Sequence, residues 1–338
     1  MKVQNEQEQE EPMTSRERFH ATMRLGAPDR VPCFDEGIRP EVIEAWHGQG
    51  LSSEGELYKM VSMDRKETLE TDLYPIPDIA DWPEERHQLD GFEERLDPFD
   101  PKRLPEAWQE KMKTLPQREH ALFLYVHEGF FLTMGVMNWK RFLDVMYLLK
   151  DQPGLVRKMM CIQGEFAATL AERVLQDVEV DAVIFSEPIG GNDQPLLSPA
   201  MYEDIVLSSY TPVFETLRRH GVENIIFQTY ANARILIPLI LKWGFNCLWA
   251  CEVESGAMDY LAIREEYGRD LRLMGGIDLD ALRFGKRAIQ QELMAKVPSL
   301  LESGGYVPLA DGRIREDMPL ENYLYYRKML NKIVTGAF

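Results

Sequence analysis

Ala182-Val-Ile-Phe-Ser-Glu-Pro-Ile-Gly-Gly191 is the stretch whose reading decides the fold. Ala182–Glu187 is strand-like and ends on a carboxylate. Pro188 and two glycines then turn the chain at once, and a helical pattern follows over 199–220. The same β-then-α order recurs on either side. Upstream, strand-like runs occur at Val31–Asp35, Thr68–Tyr74 and Leu122–His127. Downstream they occur at Asn224–Thr229, Asn246–Glu252, Leu271–Ile277 and Tyr306–Ala310. Helical patterns lie between them at 138–150, 153–177, 232–243, 257–267, 286–303 and 319–333. Repeated β–α order predicts parallel strands with right-handed crossovers. Eight such strands predict a (β/α)₈ TIM barrel, with a long excursion between strands two and three. That excursion, residues 71–120, holds seven of the 20 prolines, and Asp90-Gly91 within it reads as a hairpin. It is expected to cover the barrel mouth.

The 338 residues are expected to divide into a disordered acidic tail, 1–13, and a single barrel domain, 14–338. The tail carries four Glu among its first 11 residues. Thr14 with Glu17 forms a capping-box pattern where the fold begins. Lys plus Arg number 38 against 56 Asp plus Glu, a net charge of −18. That balance argues against nucleic acid and anionic membrane surfaces as partners. No apolar run approaches the length needed to span a bilayer, the N-terminus lacks the apolar region of a secretory signal, and four cysteines make no disulfide framework. A cytoplasmic location is the resulting expectation. Neither a dinucleotide-binding nor a P-loop glycine pattern occurs.

In a barrel the strand C-terminal ends surround the active site. Polar groups fall at nearly every expected end: Asp35 and Glu36, Asp72, His127 and Glu128, Ser186 and Glu187, Gln228 to Tyr230 with Asn232, Cys251 with Glu252 and Glu254, Asp278, then Asp311 and Arg313. Singly, each also fits a helix cap or a polar loop. Together they predict a site at one mouth. Gly275-Gly276 fits either a close backbone approach to a ligand or a tight turn. Cys247 and Cys251 share one strand face, and either Cys251 or Glu252 faces inward, but not both. Cys33 and Cys161 read as small buried apolar residues. Glu187 is expected to point into the mouth, because the turn after it leaves an outward carboxylate no helix N-terminus to cap.

Several segments resemble the uroporphyrinogen decarboxylase superfamily. They are Thr14-Ser-Arg-Glu-Arg-Phe19, Pro28-Asp-Arg-Val-Pro32, Leu197-Ser-Pro-Ala-Met-Tyr202, Gly275-Gly-Ile-Asp278, Gly304-Gly-Tyr-Val307 and Asp317-Met-Pro-Leu-Glu-Asn322, in the family's order across about residues 14–334. The resemblance implies a barrel with its site at the C-terminal mouth. Departures narrow the activity. The decarboxylase carries basic residues after its first strand. Here the chain reads Cys33-Phe-Asp-Glu-Gly-Ile-Arg39, where only Arg39 could hold a substrate carboxylate. The thiol-methylating members carry a His-x-Cys zinc site where this chain reads Gln228-Thr-Tyr230, and a further Cys where it reads Asp311-Gly312.

The methyl-donor components of demethylase systems resemble this chain in Leu236-Ile-Pro-Leu239, the region of Cys251-Glu-Val253, Ala257-Met-Asp259 and Asn322-Tyr-Leu-Tyr-Tyr326. This branch implies a methyltransferase that moves a methyl group from an O- or N-methyl small molecule to a corrinoid carried by a partner protein. The partners implied are that small molecule and the corrinoid protein; a homodimer is a further expected partnership, which no motif specifies. The leaving group needs a proton or a Lewis acid. Glu187, Glu252 and Asp311 are the catalytic candidates. With Cys251 they are also candidate ligands for Zn²⁺ or another divalent metal. His127, Gln228, Tyr230, Asn232, Asp278 and Arg39 are the substrate-binding candidates. The alternatives are a decarboxylase acting on a less acidic substrate and a non-catalytic barrel subunit.

Overall fold

The computed structural model describes residues 12–254 and 256–337. Nearly all of the expected tail, residues 1–11, lies outside the described residues. The fold begins at helix Ser15–Met23 with the expected capping box. The Thr14 hydroxyl accepts from the Glu17 N–H at 3.2 Å, and the Glu17 carboxylate accepts from the Thr14 N–H at 2.8 Å.

Among the described residues seven parallel strands follow: β1 (Lys66–Leu69), β2 (Ala121–His127), β3 (Ala182–Glu187), β4 (Ile225–Thr229), β5 (Cys247–Ala250), β6 (Arg272–Ile277) and β7 (Tyr306–Ala310). Each pairs with the next in chain order, so the sheet curls with its two edges at β1 and β7. The expected first strand, Val31–Asp35, does not form. Pro32 has no N–H to donate. The carbonyls of Cys33 and Phe34 accept from the buried Arg327 guanidinium, each at 2.9 Å. The segment nonetheless touches both edges. Asp64 N–H donates to Cys33 O at 3.1 Å, Ile314 N–H donates to Gly37 O at 3.1 Å, and Ile38 makes a one-residue parallel bridge to Ile314.

Both faces of the sheet are buried. Outward residues such as Val183, Phe185, Phe227 and Leu248 pack beneath the helices. The inward set forms a separate core of Phe34, Phe123, Ile184, Ile226, Trp249, Met274, Val307 and Leu309. Phe19 and Met23, from the first helix, complete this core, with the Phe19 ring 5.0 Å from that of Phe123. A parallel sheet packed on both faces carries near-continuous apolar strands, as β2 and β3 do.

The excursion differs from expectation. Asp90-Gly91 lies within a short helix, Leu89–Glu93, and not at a hairpin. A helical turn satisfies its backbone locally, where a lone hairpin in this segment would have no sheet to join. Part of it packs on the outer helices. Arg103 is buried with its guanidinium 4.7 Å from the Phe166 ring of helix Pro153–Asp177, and the Trp108 indole donates to Asp177 at 2.7 Å. The helical stretch at 199–220 is broken into α, π and 3₁₀ turns, with a π turn at Tyr202–Val206. No helix among the described residues is long and apolar enough to cross a membrane.

Candidate functional site

The inward positions of the strands continue upward into a polar layer at their C-terminal ends. On β2, Tyr125 follows Phe123 inward. On β4, Gln228 follows Ile226. After β5, Cys251 follows Trp249. These three are joined: the Tyr125 hydroxyl donates to Gln228 Oε1 at 2.9 Å, and Gln228 Nε2 donates to Cys251 Sγ at 3.5 Å. Tyr230 packs against the same inner core. Burial pushes the Tyr125 and Tyr230 phenols and the Cys251 thiol upward, so all three keep their protons at neutral pH.

Two side chains from the first turns of the fold enter this layer. Glu36 comes from the irregular segment after Cys33. Lys66 starts β1 with its Cα low in the sheet, opposite Ala121, and its long stem brings the ammonium 5.7 Å from the Trp249 ring centroid. Burial pushes the Glu36 carboxyl up to about 7, the nearby Glu252 adds to the effect, and Lys66 opposes it. Burial pulls the Lys66 ammonium down, while Glu36 and Asp35 hold it up. Glu36 Oε2 is buried and has no hydrogen-bond partner, and the same holds for the Trp249 indole Nε1. A cavity of about 570 Å³ opens between this segment and β1, lined by Asp35, Glu36, Gly37, Tyr58, Arg65 and Lys66 among others. Its size suits a small-molecule ligand. A cavity of about 790 Å³ around Ser15, Lys111 and His120 shares Arg65 with it and reaches the start of β2, away from the strand C-termini. The polar layer described above makes the smaller cavity the better candidate.

Six of the expected site residues meet in or beside this layer. Gln228 and Tyr230 face inward. Cys251, and not Glu252, takes the inward position after β5. Glu252 sits on the rim in a left-handed conformation, φ +50°, with Arg39 3.6 Å away. Asp311 approaches the layer as well. Burial pushes its carboxyl up to about 7, and it accepts from the Leu279 N–H at 3.0 Å.

The others lie elsewhere. Glu187 does not point into the mouth. It faces outward with Val183 and Phe185, where Phe130 N–H donates to it at 2.8 Å, Tyr202 at 3.0 Å and Tyr210 at 2.9 Å. The turn after β3 left no helix N-terminus of its own, but Phe130 in the turn after β2 supplied one. Burial pushes Glu187 up to about 7. His127 faces outward too, because an irregularity between Tyr125 and His127 shifts the register with β3. Its ring lies 4.5 Å from that of Tyr210, and burial alone pulls it down to about 3. Asn232 braces the loop at Asp193 and Gly191, and Asp278 caps the turn at Asp280. The proposed metal ligands therefore do not converge: Glu187 lies on the opposite face of the sheet from Cys251. Among the described residues no three His, Cys, Asp or Glu side chains are grouped to hold a metal ion. Gly275 and Gly276 make room for protein, not ligand. A Cβ at Gly276 would lie 2.5 Å from the Tyr260 ring.

Lys66, Tyr125 and Trp249 are site residues that the sequence pattern did not single out. Strand parity held a signal for the last two, since Tyr125 is in phase with Phe123 and Trp249 with Cys251. Lys66 sits before the expected start of its strand.

No protein-family model matches the chain, and no curated protein matches it. Among solved structures the chain is similar to xylanase B from Clostridium stercorarium F9, at 12% identity and a TM-score of 0.45, over 90% of this chain and 89% of that one. It is also similar to an Anoxybacillus α-amylase, at 11% identity and a TM-score of 0.33, over 70% of this chain and 62% of that one.

Proposed function

We propose that the chain is a cytoplasmic (β/α)₈-type methyltransferase of the uroporphyrinogen decarboxylase superfamily, moving a methyl group from an O- or N-methyl small molecule to a corrinoid on a partner protein. The observation that carries this reading is the Glu36 carboxyl. It holds a proton to about pH 7, and its Oε2 is buried and unpartnered beside a ligand-sized cavity. A departing alkoxide, phenoxide or amine needs a proton, and such a carboxyl supplies it. In the transfer the methyl carbon loses its bond to oxygen or nitrogen. The leaving atom takes the Glu36 proton, and the methyl group passes to cobalt(I) of the corrinoid, which acts as a substrate. Solvent then reprotonates Glu36. The neighbouring Tyr125, Tyr230 and Cys251 are neutral donors, which orient a leaving group without competing as nucleophiles. Arg39 and Glu252 close the rim. No metal enters this scheme, since the candidate ligands do not form a set.

The test is formation of methylcobalamin from reduced cobalamin across a panel of methoxylated and N-methylated compounds. Methyl transfer by the wild-type chain and its loss in Glu36→Gln support the reading. No transfer from any donor, with the cobalt fully reduced, overturns it. A decarboxylase reading draws on one observation, the Lys66 ammonium beside Glu36. Release of carbon dioxide from a panel substrate, without methyl transfer, would put that reading in its place.

A further inference from the structure

Lys66 makes no hydrogen bond and no ion pair among the described residues, although it stands in a protein of net charge −18 and reaches the interior of the sheet. Unpaired ammonium groups at such depth are costly. Here the Trp249 ring beside it and the field of Glu36 and Asp35 share the burden. The indole N–H of the ring beside it is also unmet. Trp249 is 2% exposed, and its Nε1 has no partner. A third polar atom, Glu36 Oε2, is buried and unpartnered. Lys66 and Glu36 both line the cavity of about 570 Å³ between the 35–37 segment and β1. Buried polar groups are normally satisfied, and an idle Glu36 oxygen with an unpaired Lys66 ammonium on the wall of one cavity point to a missing ligand.

We propose that this cavity binds the carboxylate of its ligand through the Lys66 ammonium, so that the substrate is a small organic acid. This deepens the methyl-transfer reading, and rests on it only for the ligand's fate: the donor is a methoxylated or N-methylated acid, held by its carboxylate. The charge balance selects this class. An ammonium without a partner on the cavity wall asks for an anion. Asp35 lines the same cavity and Glu252 lies near Glu36. A dianionic phosphate would meet their repulsion with one extra charge, whereas a monoanion leaves Lys66 neutralised and the Glu36 proton free for the leaving group. Lys66 therefore anchors the substrate, and Glu36 does the chemistry.

The experiment titrates the full chain by calorimetry with small carboxylic acids and their matched primary amides: acetate with acetamide, 4-methoxybenzoate with 4-methoxybenzamide, and N,N-dimethylglycine with its amide. Lys66→Met and Lys66→Arg are titrated in parallel, with circular dichroism to confirm folding. At least one acid should bind tenfold or more tightly than its amide. Lys66→Met should abolish that preference, and Lys66→Arg should retain most of it. Equal affinity for acid and amide in every pair, or no binding in any, overturns the proposal, as does an acid preference that survives Lys66→Met. Should Lys66→Met fail to fold, mass spectrometry of the wild type decides instead: the acid, but not the amide, should protect Lys66 from acetylation, and equal labelling with both overturns the proposal. The two readings fail separately. Acid preference without methyl transfer keeps the carboxylate subsite and removes the methyltransferase. Equal methyl transfer from acid and amide does the reverse.

Discussion

Two buried glutamates in this chain carry the same shift and different surroundings. Burial pushes both Glu36 and Glu187 up to about 7. Around Glu187 every oxygen is used, with Phe130 N–H, Tyr202 and Tyr210 donating to it from the outer layer. Around Glu36 one oxygen is idle, a lysine stands by without an ion pair, and a cavity adjoins. A raised carboxyl is therefore no mark of function by itself. Desolvation raises it in either place. What separates the two is whether the protein has already satisfied the group. A complete hydrogen-bond shell belongs to the framework, and an incomplete one beside open space awaits something from outside.

The sharpest way to break this comparison is to remove one proton donor at a time. Glu36→Gln should cut methyl-transfer turnover by about 10²-fold or more, the range of a lost general acid, while the melting temperature holds or rises. Glu187→Gln should stay within a few-fold of wild type. Steady-state kinetics on both variants reads the contrast, and an inactive Glu187→Gln with a normal Glu36→Gln would reverse the assignment of the two sites.

Glu187→Ala should instead appear in stability. It leaves two tyrosine hydroxyls and the Phe130 N–H without their acceptor in the packed layer, a loss of about 3 kcal/mol for buried groups left unsatisfied. Urea denaturation measures it. A change below about 1 kcal/mol would mean that water enters to replace the carboxylate.

A subtler effect concerns pH. Glu187 stands at about 7 in the folded chain against an ordinary 4.5, so folding takes up a proton between those values. Its contribution is full below pH 4.5 and is lost as pH rises through 7. Wild type should thus lose about 1–3 kcal/mol more than Glu187→Gln between about pH 5 and pH 8. Asp181 acts in the opposite sense. Held well below its ordinary range by His20, Arg16 and the Leu122 N–H against its burial, it costs stability only in acid. Denaturation curves at several pH values check the difference, and parallel profiles for the two proteins would show Glu187 ionised throughout.

The smallest expected change lies within the polar layer. Tyr125→Phe removes the bond to Gln228 but keeps the ring, and should raise KM several-fold with kcat nearly unchanged, since Gln228 retains Cys251. Loss of most of the turnover at saturating substrate would instead promote Tyr125 to the proton donor.

The chain order of strands and helices, the parallel pairing, the capping box at Thr14 and Glu17, and the collection of polar groups at the strand ends all follow from local pattern. Each depends on residues near one another in sequence, where propensity, period and turn chemistry act directly. The direction of a side chain from a strand buried on both faces does not. With apolar residues on both sides of β3, period 2 divides Val183, Phe185 and Glu187 from Ile184 and Ser186, yet says nothing of which set faces in. One irregularity after Tyr125 was enough to turn His127 outward. The first expected strand was lost to Arg327, nearly three hundred residues away in the chain. Glu36 and Lys66 met Trp249 and Cys251 only because the sheet curls until its first and last segments adjoin. Charge, burial and unmet hydrogen bonds are properties of that curled arrangement, so the tertiary structure alone decided which of the many polar residues share a site.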